Sequence, residues 1–76
     1  MKVHFHNRER KMRFRSETDL VQWMRKHDPE PSRDITDFME GYKMRKWLFE
    51  QITLNTATVN DFVSGLVNNG IISIRK

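Results

Sequence analysis

Between Asp34 and Ile52 the chain reads DITDFMEGYKMRKWLFEQI, and its apolar side chains follow a helical period. Ile35, Phe38, Met39 and Tyr42 stand at i, i+3, i+4 and i+7, one face of a helix that turns about 100° per residue. Continued, that face would carry Arg45 and Lys46, whereas the next apolar set, Met44, Trp47, Leu48 and Ile52, is rotated well round the cylinder. A bend near Gly41, where glycine costs about 1 kcal/mol relative to alanine, is one way to accommodate this. The other is a single helix over 34–52 buried on two sides, with Phe49 extending the first stripe. A chain of 76 residues has few other places to build a core, so the second arrangement is expected.

The flanking segments obey different rules. Residues 2–6, KVHFH, and 11–15, KMRFR, alternate polar and apolar, as strands with one buried face do. The residues between them, Asn7 to Arg10, suit a hairpin connection, so a basic hairpin is predicted over 2–15. Val3, Phe5, Met12 and Phe14 would face inward, leaving Lys2, His4, His6, Lys11, Arg13 and Arg15 on the opposite face.

Ser16 is a candidate N-cap for a helix over 17–27, with Glu17 and Asp19 complementing the dipole of its first turn. Pro29 and Pro31 in DPEPSRD stop that helix, and Ser32 or Asp34 can cap the next. TLNTAT reads as a polar connector. Thr58 then opens a third helix over 58–69, with Val59, Phe62, Val63 and Leu66 as its stripe and Asn69–Gly70 as a left-handed stop. The β-branched run after it predicts a strand over 71–75, paired with the hairpin because lone strands leave backbone groups unpaired. The expected fold is a single α+β domain in the order β-β-α-α-α-β. In it, a three-stranded antiparallel sheet, the N-terminal hairpin plus the C-terminal strand, packs against three helices.

Charge is spread unevenly over this plan. Residues 1–15 carry Lys2, Arg8, Arg10, Lys11, Arg13 and Arg15 against Glu9 alone, whereas residues 16–76 hold eight basic and nine acidic side chains. The chain's net charge of +4 is therefore concentrated near its start, which points to an anionic partner. Cysteine is absent, so disulfides and thiolate metal sites are excluded and a reducing, cytoplasmic setting is expected. No apolar run reads as a signal peptide or a membrane span.

Several groups of residues are candidates for function. Arginines and lysines two apart on a strand present cations at a spacing that a phosphate backbone can follow, and the arginine fork suits phosphate. Lys2, Arg8, Arg10, Lys11, Arg13 and Arg15 are thus the candidate nucleic-acid contacts, against the plainer reading of a solvated face that discourages edge aggregation. LNTATVNDFVSGLVNNGIISI resembles the second helix and following strand of a winged-helix domain. That resemblance implies a DNA-reading helix, but Gln51 to Ile74 contain no Lys, Arg or His where such a helix normally carries cations. His4 and His6, with His27 or an acid, would make a metal site only if a third ligand were fixed by spacing, and none is. Trp23, Tyr42 and Trp47 suit packing better than a base-stacking platform; Trp47 with Met44 and Leu48 forms a candidate apolar partner patch.

Asp34, Asp37 and Glu40 follow the spacing of a solvated helix face, and there is no cysteine nucleophile or glycine-rich phosphate loop. No enzyme activity, cofactor or metal is therefore expected. The leading expectation is a small non-catalytic protein contacting nucleic-acid phosphate through its hairpin. The alternative is a protein-interaction module (an adaptor, inhibitor or homodimer) using Met44, Trp47 and Leu48, its basic face meeting an acidic protein surface. Size and charge also suit a small accessory protein of a phage or other mobile element.

Overall fold

The computed structural model describes residues 1–6 and 9–75. Its elements are β1 (Lys2–Phe5), β2 (Arg10–Arg13), α1 (Glu17–Lys26), α2 (Ile35–Glu50), α3 (Val59–Asn68) and β3 (Ile72–Arg75), in the predicted order. The strands form one antiparallel sheet in the order β2-β1-β3, with β1 in the centre. No helix is long and apolar enough to cross a membrane among the described residues.

Register follows from the period-two alternation. Val3 lies between Met12 and Ile74, and Phe5 between Arg10 and Ile72. The apolar members of these rows meet the helices. Beyond the strands, Phe14 N–H donates to Met1 O at 2.9 Å and His6 N–H to Ile71 O at 3.1 Å, so both ladders run slightly further than the strands.

Each helix begins on a side-chain cap that accepts an N–H three residues on. Ser16 Oγ accepts from Asp19 N–H at 3.1 Å, Asp34 Oδ1 from Asp37 N–H at 2.8 Å and Thr58 Oγ1 from Asp61 N–H at 3.0 Å. Asp34 rather than Ser32 therefore caps α2. Gly70, at φ 71°, takes the left-handed position after α3, which glycine adopts without steric cost. Helix α2 ends earlier than the sequence suggests, because Gln51 turns left-handed at φ 55° and its N–H returns to the α2 carbonyls.

The core is built from Val3, Phe5, Leu20, Val21, Phe38, Met39, Leu54, Phe62, Val63, Leu66 and Ile72. Leu54 is the member that the polar look of TLNTAT conceals. It is 2% exposed, and its Cδ2 would stand 3.0 Å from a Cβ at Gly65, so the missing side chain on α3 makes its seat.

Burial of α2 on two sides is not what the structure shows. The helix runs unbroken through Gly41, and only its first half is buried, at Phe38 and Met39. Arg45 and Lys46 do continue the core-facing stripe, where their cations lie 5.7 and 5.5 Å from the centre of the Tyr42 ring. Arg45 also grips Asp28 with both terminal nitrogens, Nη1–Oδ1 3.1 Å and Nη2–Oδ2 2.8 Å, pinning the proline loop to α2. Cations take the positions where the first stripe continues, and Phe49, expected to extend that stripe, is left outside at 80% exposure.

Replacing Leu54 by alanine empties the seat over Gly65 and is expected to cost about 2–5 kcal/mol. Urea unfolding followed by circular dichroism measures this. A loss below about 0.5 kcal/mol, the range of a surface change, would show that Leu54 is not a core residue.

Candidate nucleic-acid interface

Because Val3 and Phe5 point to the helices, Lys2 and His4 must point away from them. The register then places Arg13 and Arg75 on either side of Lys2, and Lys11 and Ser73 on either side of His4. The outer face thus holds a row Arg13–Lys2–Arg75 and, two positions along, a row Lys11–His4–Ser73. With strands about 4.8 Å apart, the first row sets three cationic side chains on backbone positions spanning roughly 10 Å. A depression of about 280 Å³ is lined by Lys2, His4, Lys11, Ser73 and Arg75.

Histidine contacts edge this face. His6 Nε2 lies 2.5 Å from Ser73 Oγ, the His4 and His6 ring centres are 4.6 Å apart, and His4 Nε2 is 3.5 Å from Glu9 Oε2. Glu9 reaches His4 rather than a lysine or arginine. His27 lies elsewhere, stacked on Trp23 at 4.3 Å on the helix-covered side of the sheet. Among the described residues no three His, Cys, Asp or Glu side chains come together as metal ligands.

The predicted contact residues fall into distinct places. Lys2, Lys11 and Arg13 belong to the outer rows. Arg15 is exposed in the bend that leads to Ser16, beyond the end of β2. Arg10 pairs with Phe5 and so takes the inner face, where its guanidinium carbon lies 5.5 Å from the centre of the Trp23 ring. Arg8 lies outside the described residues. Arg75 joins the site although no sequence reading selected it. Its signal was present: in ISIR, inward Ile72 and Ile74 leave Ser73 and Arg75 outward.

The other candidates are committed locally. Asp34 caps α2, Asp37 accepts from Arg33 N–H at 2.9 Å, and the Glu40 carboxylate takes the Thr56 hydroxyl. The outward positions of α3 are Asn60, Asp61, Ser64, Val67 and Asn68, with no cation among them. Trp23 sits against Phe5 at 5.2 Å and Phe14 at 6.0 Å, while Tyr42 meets Phe38 at 5.8 Å and Phe62 at 5.5 Å. These rings are packing groups. Met44, Trp47 and Leu48 are different: they are 63%, 54% and 63% exposed, as a partner patch requires.

No protein-family model, curated protein or solved structure matches the chain.

The two tryptophans are expected to respond oppositely to truncation. Trp23→Ala should cost about 2–4 kcal/mol, somewhat below the range for fully buried rings, because Trp23 is only half-buried. Trp47→Ala in dilute protein should change stability by less than about 0.5 kcal/mol. Chemical denaturation of both variants checks the assignment.

Proposed function

We propose that this protein is a non-catalytic binder that holds nucleic-acid phosphate on the outer face of its sheet, with Lys2, Lys11, Arg13 and Arg75 as the contacting cations. The observation that supports this most directly is the row Arg13–Lys2–Arg75, drawn from all three strands. Like charges on directly opposed strand positions repel and destabilise the sheet, so the row costs stability in the free protein. Among the described residues no carboxylate forms an ion pair with any of the four cations. An anionic partner would remove that repulsion.

The chemistry of the face also sets the mode of binding. Lysine and arginine meet phosphate by charge, and arginine adds a bidentate fork. The outer rows present no Asn or Gln to read base edges and no Phe, Tyr or Trp to stack on bases. Binding is therefore expected to be weakly sequence-selective and strongly salt-dependent, with a log–log slope of about −3 to −4 for four neutralised phosphates.

The test is a salt titration of binding to short single-stranded and duplex oligonucleotides of unrelated sequence. Lys2→Ala, Arg13→Ala and Arg75→Ala should each weaken binding to every sequence and reduce the slope by about one. Arg10→Ala, altered on the inner face, should leave the slope unchanged. If the triple variant at Lys2, Arg13 and Arg75 binds as the parent does, the proposal fails.

A further inference from the structure

On a helix, each residue advances by about 100°, so Met44, Trp47 and Leu48 lie on the side of α2 opposite to Ile35, Phe38, Met39 and Tyr42. They form an apolar stripe that is more than half exposed among the described residues. Around it the surface is specific in shape and charge. One turn before the stripe, Gly41 leaves open space, since a Cβ built there would find nothing within 4 Å. Along one flank stand Lys43 and Glu50, seven residues apart and hence in line on the same edge of the stripe. Phe49 lies about 100° round from Leu48, outside this seam.

We infer that the occupant of the stripe is a second copy of this chain, with the two α2 helices packed antiparallel about a two-fold axis. An isologous contact must be complementary to itself, and this surface is. Antiparallel pairing that sets Met44 of one copy against Trp47 of the other brings Lys43 to Glu50 of the partner copy twice over. It also lays each Leu48 over the open space at Gly41 of the other helix. Glu40 and Gln51 then face each other at the two ends of the seam, closing an apolar centre with a polar rim. A parallel pair would set Lys43 beside Leu48 and leave the charges unmatched. Glu50 already holds Lys46 at 2.6 Å within the chain, and an exposed carboxylate can accept from both lysines.

The area is sufficient but not large. Three side chains that are more than half exposed, with their flanks, offer on the order of 500 Å² per copy, about 1,000 Å² for the pair, the lower end for a specific interface. The dimer is accordingly weak, with a dissociation constant in the micromolar range. It uses a helix rather than the sheet and does not depend on the phosphate-binding proposal.

Sedimentation equilibrium of the full chain, without nucleic acid and from low-micromolar to millimolar protein, tests this. A monomer–dimer equilibrium is expected for the parent and for Phe49→Ser. Trp47→Asp and Leu48→Gln, both changes at exposed positions, should each raise the dissociation constant at least tenfold, with circular dichroism confirming that the helices persist. Lys43→Glu and Glu50→Lys each turn two attractive pairs into two repulsive ones and should weaken the dimer about tenfold. The double variant K43E/E50K rebuilds the pairs between copies in reverse and should dimerise more tightly than either single variant, as pairwise charge coupling requires, while the Lys46–Glu50 pair within the chain stays lost. A protein monomeric at millimolar concentration overturns the proposal, as does a dimer indifferent to Trp47 and Leu48. Failure of K43E/E50K to recover overturns the antiparallel arrangement.

Discussion

Strand β1 is hydrogen-bonded along both edges, and most of what the molecule presents to solvent follows from that. A central strand cannot slip by one residue without exchanging its two faces, which would bury Lys2 and His4 and expose Val3 and Phe5. Burial of Val3 and Phe5 therefore fixes where the cations go. The helices need to cover one side of the sheet only, and the uncovered side collects the polar members of all three strands. Core and candidate site are two consequences of one alternation.

Helix α2 resolves the opposite problem, a segment too apolar on too many sides for the volume available. Its first half is held by Phe38 and Met39 in the core. Further along, Arg45 and Lys46 replace apolar groups on the inward stripe, covering Tyr42 with cations and, through Arg45, gripping the loop at Asp28. Long basic side chains can do this because their stems lie along apolar surface while their charges reach a partner or solvent. With the inward side occupied in this way, Met44, Trp47 and Leu48 are left more than half exposed among the described residues.

The fold was largely legible because its signals are local. Alternation in KVHF and ISIR marks strands and their faces, and Ser16, Asp34 and Thr58 announce helices through capping chemistry that needs no tertiary information. What escaped was set by distant partners. Leu54 looks like part of a polar connector until Gly65, eleven positions later in the sequence, is seen to leave it room. Arg10 counts as one more hairpin cation until the register turns it inward to Trp23. The two-sided burial expected of α2 missed the Asp28 carboxylate, which makes an arginine acceptable on the inward stripe. Arg75 required only that the alternation of the last strand be carried through to its end.

The register that seats Arg75 beside Lys2 joins nearly opposite ends of the chain. Closing so long a loop costs conformational freedom, whereas the helices and the β1–β2 hairpin have local partners. Arg13 and Lys2 are neighbours through the hairpin alone, but the full row exists only with β3 in place. A chain without that pairing would carry the same charges without their alignment. In that sense the complete row is a property of the assembled sheet, and an anion bound to it would stabilise the seating of β3.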